Sequence, residues 1–270
     1  MASLNVTFIG TATAVLEING INFITDPFFS PAGSSWDVGP VVLKNTTMPA
    51  MSLADLPVID VVLLSHEDHP DNLDELGRQL LDGRRVFTTC DGAGKLRPRP
   101  AVRGLAPWET ASFSVGAVQF QVTATPCQHL PGGECIGFIL SGPEFGQTDG
   151  KPNGIYFSGD TVYVKELAEI KEKFNIQAAL INLGAASVDL GNSQLQITMD
   201  STQATQLIRD IDTPVVIPMH CDGWGHFSED SVQASTVFDA QDIKEKIRWL
   251  QPGKKTAIIK DGLVTSAEGE

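Results

Sequence analysis

Asp60-Val61-Val62-Leu63-Leu64-Ser65-His66-Glu67-Asp68-His69-Pro70-Asp71-Asn72 is the stretch that decides how this chain folds. Val58–Leu64 is a nearly continuous apolar run, the pattern of a strand buried on both faces. It stops at Ser65, and His66, His69 and Asp71 then fall within six residues. Ligand-type side chains directly after a buried strand belong at the rim of a sheet, where α/β folds gather their ligands.

The same pattern recurs three times downstream. Val118–Thr125 alternates with period two and leads into Pro126-Cys127-Gln128-His129. The strand Ile155–Ser158 runs into Gly159-Asp160-Thr161. The buried strand Val215–Met219 runs into His220-Cys221-Asp222-Gly223-Trp224-Gly225-His226. The five histidines of the chain all lie in these segments. One strand-end histidine is ordinarily a hydrogen-bonded structural residue, but a recurring set is not explained that way. Imidazole and carboxylate together suit Zn²⁺ or another borderline divalent cation.

The remainder supplies a framework. Leu4–Ile9, Ala14–Ile18 and Ile21–Thr25 read as strands, and Asn19-Gly20 is a strong hairpin signal. Residues 26–57 form a loop rich in Pro, Gly and Ser, too long for an idle connector. Trp36, Val41, Val42, Leu43 and Met48 within it offer an apolar wall to a substrate. Further strands are predicted at Val86–Thr89, Ala111–Val115, Ile136–Leu140, Ala178–Leu183 and Thr256–Ile259. Helices are predicted at Leu73–Leu81, Val164–Phe174, Ser201–Ile211 and Ala240–Trp249, and the chain closes on an acidic tail. No Gly/Ser linker or fixed-period repeat interrupts it, so residues 1–270 read as one α/β domain.

Composition narrows the function classes. The 270 residues carry 19 Lys+Arg against 33 Asp+Glu, a net charge of −14. That balance disfavours nucleic acid and anionic membrane, which need a positive footprint. No run approaches a membrane span and the N-terminus lacks a secretory pattern. Cys90, Cys127, Cys135 and Cys221 form no CxxC and read as reduced thiols, which makes the cytoplasm the expected compartment. The expected partner is a small-molecule substrate, and a homo-oligomer is compatible with the sequence.

These motifs together resemble the metallo-β-lactamase-fold hydrolase superfamily, from Thr7-Phe8-Ile9-Gly10 to Lys260-Asp261-Gly262. Ile24-Thr25-Asp26-Pro27-Phe28 is similar to the branch containing ascorbate-6-phosphate lactonase and N-acyl-phosphatidylethanolamine phospholipase D. The resemblance implies an αββα four-layer sandwich of two mixed sheets flanked by helices. It also implies a metal held by His66, His69 and His129, with Asp160 bridging to a second metal at Asp71 and His220. The first motif departs from the superfamily's Thr/Ser-His-x-His-x-Asp-His. With one inserted residue it reads His66-x-x-His69-x-Asp71-Asn72, and Asn72 stands where the superfamily has a histidine. Ungapped, Asp68 takes the second histidine position and Pro70 replaces the aspartate, so the inserted form is preferred and Asp68 is held in reserve. Loss of an imidazole implies a weaker second site, empty or holding a harder ion such as Mn²⁺ or Fe²⁺.

The implied function is a zinc-dependent hydrolase. Its metal-bound hydroxide would cleave a lactone, ester, thioester, amide or phosphodiester bond of a small molecule. Asp71 would orient the nucleophile, and Asp26 would either support the ligands from behind or cap an Asx turn before Pro27. His226 has three open readings: leaving-group acid or oxyanion donor, replacement ligand, or packed structural residue. Trp224 is placed beside the pocket or in the core. Two alternatives stand against the hydrolase: an iron-dependent oxygen- or sulfur-handling enzyme, and a non-catalytic metal-stabilised binding protein.

Overall fold

A computed structural model describes residues 2–39, 41–189, 191 and 193–266; Glu268 and Glu270 of the acidic tail lie outside them. The opening strands are β1 (Leu4–Gly10), β2 (Thr13–Ile18) and β3 (Ile21–Thr25). Asn19 and Gly20 join the last two with positive φ at both residues, 51° and 82°, as a two-residue hairpin turn requires. The decisive stretch forms β4 (Val61–Leu63), followed by β5 (Arg85–Thr89) and β6 (Val102–Leu105). β7 (Thr110–Val115), β8 (Val118–Pro126), β9 (Ile136–Ser141) and β10 (Lys151–Phe157) follow. The chain continues through β11 (Asn175–Asn182), β12 (Val216–Met219), β13 (Lys255–Lys260) and β14 (Leu263–Val264).

These strands form two mixed sheets. The first has the order β14-β13-β1-β2-β3-β4-β5-β6, and the second β12-β11-β10-β9-β8-β7. β3 through β6 pair in parallel, as do β10, β11 and β12, so several strands end at a common rim. Alternation along each strand sends side chains to two different cores. Val61 and Leu63 join Ala178, Leu180, Val215 and Ile217 in the core between the sheets. Val62 and Leu64 face outward onto Leu73, Leu80, Leu81 and Leu96. Those residues belong to or flank the helices α1 (Glu75–Leu80) and α2 (Cys90–Lys95). On the far side, Ala179, Ile181 and Val216 pack against Leu167, Leu207, Ile208 and Phe238. That layer comprises α3 (Ile170–Lys173), α4 (Ser201–Ile211) and α5 (Ser231–Ala240). The architecture is the four-layer αββα sandwich.

Two helix expectations change. Residues 164–174 open as a 3₁₀ turn, Lys165–Glu169, before the single α-turn of α3. The helix expected at Ala240–Trp249 lies earlier and ends at Ala240. The Asp230 carboxylate accepts from the Gln233 N–H and the Gln233 side chain accepts from the Asp230 N–H, a capping box that fixes its start. Asp242 adopts a left-handed φ of 57° that stops continuation. Trp249 instead folds back and donates from Nε1 to Ser235 Oγ at 3.0 Å.

Two contacts set the rim. The Asp74 carboxylate caps α1 through Gly77 N–H and also accepts from Phe29 N–H and Ser30 Oγ, fastening the 26–57 loop to the motif. Gly77 is needed there, because a Cβ would lie 1.7 Å from Pro27 O. No helix among the described residues is long and apolar enough to cross a membrane.

Candidate metal centre

The turns after β3, β4, β8, β10 and β12 converge at one rim. Ser65 O accepts from Ile136 N–H at 3.1 Å, bridging the two sheets just below it. Gly159, at φ 59°, leaves no room for a side chain beside Ser65 and Ile136, so the Asp160 turn seats against the His66 turn.

Three imidazoles meet over this seam. His66 Nε2 lies 3.0 Å from His69 Nδ1, and His129 Nε2 lies 3.1 Å from the same atom. The rings pack edge to face with centroids 4.7–5.0 Å apart. Among the described residues they are the group of ligating side chains that closes most tightly, with all three nitrogens within 4.8 Å of one another. Bonds of about 2.0–2.1 Å from a tetrahedral ion put neighbouring ligand atoms about 3.4 Å apart, so this donor set fits a small divalent cation. Asp68 does not join it; its carboxylate lies 3.9 Å from Lys95 Nζ.

Two of the three rings, His66 and His129, are aimed from behind. His66 Nδ1 pairs with Ser65 Oγ at 2.8 Å, and Ser65 Oγ donates to Asp26 Oδ2 at 2.7 Å. The Asp26 carboxylate also accepts from Ser65 N–H at 2.6 Å and Asn72 Nδ2 at 3.0 Å. A hydroxyl with one proton donates to the carboxylate and accepts from the ring, which puts the proton of His66 on Nδ1 and frees Nε2. His129 Nδ1 donates to Ile197 O at 2.7 Å with the same effect. Burial, and then the neighbouring rings His69 and His129, hold the His66 imidazole well below its usual pKa; burial also lowers that of His129. Both therefore stay neutral, the ligand form, at pH 7. Burial pushes the Asp26 carboxyl up to about 8, against the pull of its three donors.

A second group adjoins the first. Asp71 Oδ2 lies 3.9 Å from His220 Nε2 and 3.8 Å from His226 Nε2, and His220 Nδ1 lies 3.4 Å from Asp160 Oδ1. Both ring nitrogens of His220, Asp71 Oδ1 and His226 Nδ1 are buried without a hydrogen-bond partner. Burial works to raise the Asp160 carboxyl, but His220, His129, His66 and the Asn182 amide outweigh it and hold it below the usual carboxylate range. Burial lowers the His226 imidazole against the opposing pull of Asp71. His220 sits at φ 55° and Asp26 at φ 26°, strained backbone of the kind that clusters at functional sites.

Other expected residues lie further out. Asn72 is turned toward Asp26, with its Oδ1 buried and unpaired. Trp224 is buried in an aromatic cluster with Phe28 and Trp36, its ring 5.9 Å from that of His226. Cys127 donates to Ser158 O at 3.3 Å, and Cys221 packs in the core beneath α4 and α5. Ser65, Asn182, Ile197 and Cys135 are site residues that the sequence reading did not single out. Cys135 Sγ lies 3.6 Å from His66 Nδ1 and donates to Asp160 O. Cross-strand pairing of Pro126 with Ile136 brings it there, which no local signal announces.

Comparison with known proteins agrees with this geometry. The profile of the beta-lactamase superfamily domain matches residues 21–221. The chain is 25 % identical over 241 residues to a mitochondrial N-acyl-phosphatidylethanolamine-hydrolyzing phospholipase D of Saccharomyces cerevisiae, spanning 82 % of this chain and 47 % of that one, so it covers about half the relative's length. It is 22 % identical over 268 residues to a metal-dependent hydrolase of Methanopyrus kandleri, covering 93 % and 98 % of the two chains. The solved structure of an isothiocyanate hydrolase from Delia radicum gut bacteria superposes with a TM-score of 0.77 at 22 % identity, covering 95 % and 100 %, a likeness of fold. The chain belongs to the metallo-β-lactamase superfamily. Within it, the chain is similar to proteins named as metal-dependent hydrolases.

Proposed function

We propose that this chain is a zinc-dependent hydrolase of small molecules in which His66, His69 and His129 hold the catalytic ion. The observation that carries the reading is the convergence of three ring nitrogens, those of His66 and His129 aimed from behind, beside the buried, unpaired Oδ1 of Asp71. An all-imidazole donor set suits zinc, which when bound supplies a Lewis acid and lowers the pKa of water to about 7. Asp71 Oδ1 is free to orient the nucleophilic water and take its proton. His226, 3.8 Å from Asp71 and lining the same cavity, is placed to pass the proton that Asp71 takes on to the leaving group. Asp160 and His220, 3.4 Å apart, are the donors for a second ion, with Asp71 beside them. That group is more open than the first, and the imidazole missing at Asn72 weakens it further. The four free thiols suit a reducing cytoplasm.

Similarity to a protein named for phospholipid hydrolysis, and to the structure of an isothiocyanate hydrolase, supports hydrolysis without choosing the bond. Metal analysis and a panel of esters, lactones, thioesters, amides and phosphodiesters, run on one preparation, test the reading. Activity lost with chelator and in Asp71→Ala is expected. Activity indifferent to both would reject it.

A further inference from the structure

Resting on the hydrolase reading, we propose that the site takes a compact, uncharged substrate whose non-reacting part is apolar. The cavity over the histidines measures about 50 Å³. Its floor is polar, formed by His69, His129, His220 and His226 with Asp71 and Asp160. Its walls are aliphatic: Val38, Val41 and Leu43 on one side, Leu130, Val188 and Ile197 on the other. The first three come from the hairpin Ser35–Asp37/Val42–Lys44, and Val188 from the hairpin Ser187–Asp189/Gln194–Gln196.

No Lys or Arg is among the described residues lining this cavity. The cations in its neighbourhood are committed elsewhere or face away. Lys44 is exposed, whereas its neighbour Leu43 is buried, so the two point to opposite faces of the strand. Lys95 lies on the other flank of the histidines, paired with Asp91 at 2.7 Å and Glu67 at 3.2 Å. Arg103 pairs with Glu109. A phosphate or carboxylate on the non-reacting part would enter the aliphatic walls with no partner, and burying an unpaired charge is strongly unfavourable. The wall is also held in place. Leu43 packs with Phe28 and Trp224, and Lys44 O accepts from Gly225 N–H at 3.0 Å, which ties the hairpin to the His220–His226 turn.

The test compares the zinc-loaded enzyme on p-nitrophenyl acetate, propionate, butyrate and hexanoate with bis(p-nitrophenyl) phosphate. The neutral series is expected to be preferred, with kcat/KM rising roughly three- to fourfold per added methylene until the cavity fills. Val41→Lys, which places a cation on the wall, is expected to lower kcat/KM for the butyrate about tenfold while raising that for the phosphodiester. Preference for the phosphodiester, or no dependence on chain length, overturns the proposal. If neither series is hydrolysed, the hydrolase reading itself fails, and calorimetry of N-butylacetamide against bis(p-nitrophenyl) phosphate decides the substrate class separately. Tighter binding of the neutral amide supports it; tighter binding of the phosphate, or binding of neither, overturns it.

Discussion

Ser65→Ala removes one oxygen from the interior and separates His66 from its support. Ser65, His66 and Asp26 are essentially inaccessible to solvent, so water does not replace the lost hydroxyl. Two hydrogen bonds disappear, the 2.8 Å contact to His66 Nδ1 and the 2.7 Å contact to Asp26. Asp26 keeps the Ser65 N–H and Asn72 Nδ2, but the His66 Nδ1–H loses its acceptor. The Cys135 sulfur at 3.6 Å is a weak acceptor and does not substitute. An unpaired buried donor costs about 1–3 kcal/mol. Loss of the group that orients a metal-bound histidine typically costs about 10–100-fold in metal affinity, or roughly 1.4–2.7 kcal/mol. Zinc affinity of the variant, measured by competition with a chromophoric chelator, is therefore expected to fall within that range. Ser141→Ala serves as control, because Ser141 Oγ is buried without a partner far from the rim; its zinc affinity should match wild type. Affinity in Ser65→Ala within about threefold of wild type would refute the relay, since the outer-sphere effect starts near tenfold.

Other outcomes follow from the same geometry. Burial holds the His66, His129 and His226 rings below their ordinary 6.5, so they shed protons on folding. Zinc retention on dialysis should thus have a midpoint below pH 6.5, and the metal-free chain should lose stability as pH falls through 6.5, where the unfolded chain binds more protons; a retention midpoint above 7 would contradict this. Gly77→Ala drives a Cβ to within 1.7 Å of Pro27 O and should cost about 3 kcal/mol in urea unfolding; unchanged stability would show that the contact yields freely. His226→Ala should lower kcat about 100-fold or more while leaving zinc content unchanged; lost zinc would make His226 a ligand instead of an acid.

The sheets were legible because alternation is local. Val61 and Leu63 against Val62 and Leu64 announce two cores from four consecutive residues. The turn at Asn19-Gly20 needs only two. The histidines were legible because they gather in three segments that each follow such a strand. What was hidden depends on distance along the chain. Ile197 reaches His129 across 68 residues and Asp26 reaches Ser65 across 39, and neither spacing carries a pattern. The helix at residues 231–240 was misplaced because the apolar residues after it, among them Trp249, fold back onto α5 and mimic a helical stripe. Its true start was readable in Asp230-x-x-Gln233. The loop at 26–57 was half legible: Val41 and Leu43 line the cavity, whereas Val42 and Met48 face solvent and Trp36 packs with Phe28 and Trp224.

The central claim is that His66, His69 and His129 form the tight metal site. Metal content by mass spectrometry, on wild type and His69→Ala reconstituted with zinc and passed through gel filtration, tests it most directly. The account predicts at least one equivalent retained by wild type and that equivalent absent from His69→Ala, with metal-free variant and metal-free wild type melting alike. A variant that keeps the full wild-type zinc content would contradict it.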